Sequence, residues 1–458
     1  MTETLTQPRK TRYAIVGTGG RCEMFRDALN TDFSAHGEIV GFCDVNRGRL
    51  LRYQEETRKA TGRVVPIFDL AANPDGFDEM VRRTQPDVVI VTTIDRFHHQ
   101  YIVRAMELGC DAISEKPMTM DADKCQKIID TQARTGRRCR VTFNYRYSPP
   151  RVQVKDLLMS GIIGDIVSVD FHWMLDTHHG ADYFRRWHSN KENSGGLMVH
   201  KATHHFDLVN WWLSSVPVSV FATGKRQFYT PETARRMGLR SHHERCRTCP
   251  EKDACGFYFD LGQHPLIRAL YLDCEEFDGY FRDRCVFRPE ISIEDTMHVQ
   301  VRYANDATMS YSLVAHAAWE GYTLAFNGTQ GRLEHKCEES IYVSGDGTVP
   351  GALVGDGTYI RIFPLRKPAY EVPIWQSEGG HGGGDKPLLE DLFLPARPAD
   401  PYLRAADHRS GAYSILTGVA ANRSMETGAP VEIASLVRGL QSPDFPPMPD
   451  RRKKLAMP

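Results

Sequence analysis

The chain has 458 residues, with 57 Lys and Arg against 58 Asp and Glu, 41% hydrophobic and 10% aromatic residues. That length suggests two large domains or three small ones, with enough buried surface that no disulfide or metal staple is needed for stability. A formal net charge of -1 excludes broad attraction to nucleic acid or to an anionic membrane, so the expected partner is a small molecule.

Residues Met1 to Thr11 are polar, without the apolar core of a secretory signal, and no apolar run approaches the roughly 20 residues that span a bilayer. The expectation is a cytoplasmic protein whose 11 cysteines are thiols or metal ligands rather than disulfides. From there β-rich runs alternate with helical patterns. The runs are Tyr13 to Val16, Ile39 to Cys43, Val88 to Thr92, Ala112 to Ser114 and Cys139 to Phe143, with amphipathic stretches such as Tyr101 to Leu108 and Asp121 to Thr131 between them. This rhythm predicts an α/β domain with a parallel sheet over residues 1–147.

The first strand runs into Gly17-Thr18-Gly19-Gly20-Arg21 and then the helical pattern Cys22 to Leu29. Such a turn sets backbone N–H groups and a helix N-terminus against a pyrophosphate. A glycine cluster alone is only a tight turn. Here a strand precedes it, a helix follows, and Asp44 ends the second strand, where a carboxylate would accept from the adenosine ribose hydroxyls. A Rossmann dinucleotide-binding domain is therefore expected, and Asp44 favours NAD over NADP, with Arg47 the nearby residue that could accommodate a 2′-phosphate.

After Pro149 and Pro150 the pattern changes to a helix at Val152 to Met159 and a long strand at Ile166 to Leu175. Later strands are read at His298 to Tyr303, Thr308 to Val314, Tyr322 to Asn327 and Arg332 to His335, and helices at Lys386 to Phe393 and Ala405 to Met425. The prediction is an α+β substrate domain over 148–441 with a large, mostly antiparallel open sheet, whose open face would pack against another subunit. A cysteine-rich insertion interrupts it at about 230–290, and 442–458 forms a Pro-rich arm.

Within the insertion, Cys246-x-x-Cys249 with Cys255 and Cys285, or Cys274, has the spacing of a structural zinc site. A [4Fe-4S] cluster and free thiols are the other readings. In the segment Gly195 to Asp207, residues His200, His204 and Asp207 recur at four and three and share a helical face. An isolated histidine there would be an ordinary core residue. Three His and Lys201 within six residues, together with Lys116, instead suggest a cationic group able to take a hydroxyl proton. Upstream, Asp176, Tyr183, Arg185, Arg186, Trp187 and His188 combine aromatic faces for sugar rings with groups that bind hydroxyls or an anion. The bland alternative is an aromatic core loop with an ion pair.

The segment Thr93 to Lys116, with His98 and Glu115-Lys116-Pro117, together with the glycine loop and Gly195 to Trp211, resembles the Gfo/Idh/MocA family of sugar oxidoreductases, in register from Arg12 to about Ile433. The resemblance implies a substrate held between the sheet face and the nicotinamide, with Thr93, His98, Glu115 and Lys116 beside the cofactor and Lys116 on the reacting hydroxyl. Tyr145 and Asp207 would contact substrate; from its own residues, the glycine-rich stretch Gly379 to Asp385 reads as a loop capping the pocket, with His381 placed to meet substrate. His204 and Asp207 match the family pattern, whereas His200 stands where an Asp is common. The Asp182 to His188 and His200 to Asp207 segments are similar to the branch containing NAD-dependent glycosidases, sulfoquinovosidases included. There a C3 hydroxyl is oxidised, the aglycone eliminated, water added and the hydride returned. Arg185, Arg186, His188 and Lys191 would meet a sulfonate. The alternative is a glycoside 3-dehydrogenase with net NAD reduction.

Overall fold

The computed structural model describes residues 9–240, 243–340, 357–376, 380–396 and 399–450. Its first strands are β1 (Thr11–Val16), β2 (Gly37–Asp44), β3 (Ile67–Asp69), β4 (Val88–Val91), β5 (Asp111–Ser114) and β6 (Cys139–Val141). Then come β7 (Ile166–Asp176), β8 (Pro217–Lys225), β9 (Thr296–Tyr303), β10 (Thr308–Ala317), β11 (Glu320–Gly328), β12 (Gly331–Ser340), β13 (Tyr359–Pro364), β14 (Tyr370–Val372), β15 (Ala406–Asp407) and β16 (Val431–Glu432).

The first sheet has the order β15-β6-β5-β4-β1-β2-β3. Strands β1 to β6 pair in parallel, and only β15 is antiparallel. Helices cover both faces, so β1 reads Tyr13-Ala14-Ile15-Val16 with all four side chains buried. Helix starts are locally encoded: Asn46 caps Arg47–Thr61 by accepting from Arg49 N–H, and Asp121 caps Ala122–Thr135 by accepting from Lys124 N–H. The helix after β4 spans Asp95–Glu107, six residues earlier than the apolar periodicity suggests. That earlier start places Asp95 in its first turn.

The second sheet has the order β14-β13-β12-β11-β7-β10-β9-β8-β16, in which only β7 and β10 pair in parallel. Strand β9 alternates buried Met297, Val299, Val301 and Tyr303 with exposed His298, Gln300 and Arg302. The inner face therefore packs on helices, among them His408–Thr427, and the outer face is polar.

The chain returns to the first domain near its end. Strand β15 extends the first sheet beside β6, and Phe393 of helix Asp385–Phe393 packs on Tyr13 and Phe33 with ring centroids 5.2 and 5.6 Å apart. The Pro-rich arm is anchored as far as it is described: Ser214 donates to the Pro446 carbonyl at 2.7 Å, and Arg409 pairs with Asp444 at 2.7 Å. Among the described residues no helix is long and apolar enough to cross a membrane.

Candidate active site

The glycine loop has the stereochemistry that a phosphate cradle needs. Gly17 sits at φ +92°, and a Cβ there would lie 2.5 Å from the Thr93 backbone nitrogen, so no side chain fits. The Asp44 carboxylate, at the end of β2, accepts from the Thr18 N–H, from Thr18 Oγ1 at 2.8 Å and from Asn46 N–H at 2.8 Å. Arg47 is turned away, its guanidinium 3.7 Å from Asp69 and largely exposed. These residues fit a dinucleotide with free ribose hydroxyls.

A cavity of about 750 Å³ lies between the two domains. Arg21, Thr93, Asp95, His98, Glu115, Lys116 and Tyr145 line it from the first domain. Tyr183, Arg186, Trp187, His188, His200, Lys201 and His204 line it from the second. The structure thus brings most of the expected cofactor and substrate residues into one space.

Glu115 holds the first-domain wall. It accepts from Arg21 Nε at 2.7 Å and Thr142 Oγ1 at 2.9 Å. The His98 ring lies between the Pro117 and Thr93 carbonyls, at 2.8 and 2.9 Å. It fixes the two loops that carry Thr93 and Lys116 relative to each other. The Lys116–Pro117 peptide is cis, and Lys116 Nζ donates to the His200 carbonyl at 3.4 Å. Burial brings the Lys116 ammonium down to about 8, although Asp95 and Glu115 pull the other way. A lysine so placed is neutral for part of the physiological pH range and able to accept a proton.

His200 is built into a second proton-handling unit. Its Nδ1 lies 2.6 Å from Asp95 Oδ2, with both residues buried. With Nδ1–H donating to the carboxylate, Nε2 is left as the basic nitrogen. Burial, reinforced by Lys116, keeps the ring well below its ordinary pKa, and burial pushes the Asp95 carboxyl up. Asp95 is the acid that sequence reasoning missed. Its one signal was a carboxylate opening a helix directly after β4.

The remaining wall is aromatic and cationic. His204 stacks on Tyr145 at 4.2 Å. Lys201 Nζ lies 4.6 Å from the Trp173 ring centroid, and burial lowers its pKa against the pull of Glu320 and Glu339. His188 stacks on Trp187 at 3.6 Å, and its buried Nδ1 has no hydrogen-bond partner among the described residues. Glu320, hydrogen-bonded to His179 at 2.7 Å, and Trp375 also line the cavity without having been singled out.

Four expected substrate residues are placed elsewhere or left open. Asp207 forms a bidentate pair with Arg146 at 2.6 and 2.7 Å, both 1% exposed. It is committed to this pair and is not among the residues that line the cavity. Asp176 caps helix Thr177–Arg185, accepting from the His178 and His179 N–H groups. Arg185 points into the insertion, donating to the Phe257 carbonyl at 2.5 Å and lying 3.5 Å from Cys246 Sγ. His381 falls in the one-turn helix Gly380–Gly383, its side chain outside the described residues, while neighbouring Gly382 lines the cavity. The cations expected for a sulfonate are also engaged: Arg186 pairs with Asp182 at 3.0 Å and Lys191 with Glu294 at 2.5 Å.

Cys246, Cys249, Cys255 and Cys285 do line one small cavity. Yet among the described residues no group of three or more His, Cys, Asp or Glu side chains is disposed to hold a metal ion, and all the cysteines are free thiols. The structural zinc is not supported. Cys285 Sγ accepts from Phe287 N–H at 3.4 Å, and burial pushes the Cys285 thiol up to about 11.

Two family models match. Residues 11–143 match the oxidoreductase family NAD-binding Rossmann fold, and residues 155–433 match the oxidoreductase family C-terminal alpha/beta domain. YteT of Bacillus subtilis (strain 168), named only as an oxidoreductase, is 37% identical over 90% of this chain and 95% of its own length. Glycosyl hydrolase family 109 protein 1 of Akkermansia muciniphila is 27% identical over 42% of this chain and 40% of its own length. D-glucoside 3-dehydrogenase of Escherichia coli (strain K12) is 28% identical over 34% and 41%. The WlbA dehydrogenase of Bordetella pertussis, solved with NADH and UDP-GlcNAcA, superposes with a TM-score of 0.58 over 93% of this chain and 99% of its own, at 18% identity. With both of its domains matched, the chain belongs to the Gfo/Idh/MocA oxidoreductase family.

Proposed function

We propose that this protein is a redox-neutral glycosidase that oxidises the C3 hydroxyl of a glycoside, eliminates the aglycone, adds water and restores the hydroxyl. The observation that carries this reading is that two separate proton-handling groups, Lys116 and the Asp95–His200 pair, line one cavity. A simple alcohol oxidation needs one base. Elimination needs a second group for the C2 proton, which the ketone at C3 acidifies.

The Gly17–Arg21 loop and Asp44 would hold NAD, which would supply the hydride acceptor and donor. Lys116, neutral near pH 8, takes the C3 hydroxyl proton and later returns it. His200 Nε2 takes the C2 proton, and Asp95 stabilises the imidazolium that forms. Tyr145, Tyr183 and Trp187 offer faces and edges to the sugar ring, and His188 Nδ1 a polar contact. His204, stacked on Tyr145, and Lys201, beside Trp173, place further polar groups around the sugar. Two relatives, one named a glycosyl hydrolase and one a glucoside dehydrogenase, support a sugar substrate and divide on the net reaction.

A panel of aryl glycosides, sulfoquinovosides and uronides included, incubated with catalytic NAD tests the reading. Release of the aryl alcohol without stoichiometric NADH is expected. Stoichiometric NADH with the glycosidic bond intact would favour the dehydrogenase.

A further inference from the structure

Part of the cysteine-bearing insertion lies directly on the phosphate loop. The Gly20 N–H donates to the Tyr271 hydroxyl at 3.1 Å, and that oxygen is 3.6 and 3.5 Å from where a Cβ on Gly19 or Gly20 would stand. Asn46 Nδ2 donates to the Cys274 carbonyl at 3.0 Å, and Arg49 pairs with Asp278 at 2.6 Å. The Phe277 ring fills the space over Gly48, where a Cβ would come within 2.7 Å of it. Leu270 joins the small core formed by Phe25, Leu50 and Tyr53. These contacts bracket Asp44 and the glycine loop from above.

The same segment is tied to the wall of the substrate cavity. Arg282 pairs with Asp182 at 2.6 and 3.1 Å, and Arg186 reaches the same carboxylate. The Tyr280 hydroxyl accepts from Trp187 N–H at 3.4 Å. One stretch of chain therefore touches both ends of the site.

We propose that residues 265–283 form a clasp that closes over the bound dinucleotide and retains it between turnovers. An outward N–H of a glycine loop is the donor a pyrophosphate oxygen takes. The Tyr271 hydroxyl lies at such a donor, so it sits against the phosphate position. When the cofactor is held, Tyr271 yields the N–H and turns its own O–H to a phosphate oxygen, because a phenol both donates and accepts. Entry or exit of NAD requires the segment to lift, which breaks the Tyr271, Asn46–Cys274 and Arg49–Asp278 contacts together. The proposal rests on the NAD reading above and deepens it: a cofactor restored in every cycle has no need to leave.

The test is the exchange rate. Protein loaded with radiolabelled NAD and freed of excess nucleotide is mixed with unlabelled NAD, and label retained on a filter is followed with time. Tyr271→Phe and, separately, Asp278→Asn should each release label about tenfold faster than the parent chain. Tyr271→Phe removes a single oxygen, so it decides the matter even if Asp278→Asn folds poorly. Release from Tyr271→Phe within twofold of the parent rate, with NAD still bound, would overturn the clasp alone. Failure of the parent chain to retain label while calorimetric titration still shows NAD binding would likewise overturn the clasp, whereas no NAD binding in that titration would overturn the cofactor reading itself.

Discussion

His200 Nδ1 and Asp95 Oδ2 meet at 2.6 Å although 105 residues separate them in the chain. A buried carboxylate on Nδ1 fixes the ring orientation and the tautomer, which leaves Nε2 as a base. Asp95→Asn keeps the shape but offers an amide donor, favouring the opposite tautomer. We expect kcat to fall by on the order of 10³, with the NAD dissociation constant unchanged within about twofold. Steady-state kinetics beside calorimetric NAD titration checks this, and retention of parental kcat would remove Asp95 from the proton pathway.

Lys116 must be neutral to accept a proton. Because burial sets its pKa at about 8, activity should rise with pH through that value and level off above it. Lys116→Ala should lose roughly 10²–10⁴ in kcat, and Lys116→Arg should not rescue it, since a guanidinium stays charged. A pH–rate profile flat between pH 7 and 9 would contradict the role given to this group.

Asp207 answers to stability rather than to binding. With Arg146 and Asp207 both 1% exposed, Asp207→Ala leaves a buried guanidinium unpaired and should cost about 3–5 kcal/mol. Denaturant unfolding at pH 7 measures it. A loss below about 1 kcal/mol would show that the pair contributes little to the fold.

Acid should destabilise the protein through its buried histidines. His335 is 1% exposed, hydrogen-bonded to the Tyr322 hydroxyl and the Tyr359 carbonyl, and burial lowers its pKa to about 4. The unfolded chain takes a proton near pH 6.5, so the unfolded state binds more protons between those values and stability falls as pH falls through them. From the width of that window, His335 alone contributes up to about 3 kcal/mol to the loss. A His335→Asn chain should show a shallower fall in Tm between pH 6.5 and 4 than the parent chain.

What the sequence makes legible is local. Gly17 to Arg21, Asp44 and the His200 to His204 run are each read from short-range pattern, Lys116 from the Glu115-Lys116-Pro117 motif that carries the family resemblance, and each belongs to the loop or cavity that the fold assembles. What it conceals is set by long-range pairing. Asp207 looks like a site residue until Arg146 claims it from another element. Arg185 looks like a sugar ligand until the insertion offers it the Phe257 carbonyl. Neither the Asp95–His200 pair nor the Gly20–Tyr271 contact, 251 residues apart, leaves a periodic signal, because only the folded topology brings those residues together.

In the proposed cycle Lys116 and His200 perform two proton transfers with no net redox change. Turnover of an aryl glycoside in deuterated water with catalytic NAD tests it most directly, with the sugar product analysed by NMR. Deuterium at C2, released aryl alcohol and no accumulated NADH are expected. Product with hydrogen fully retained at C2 would contradict it.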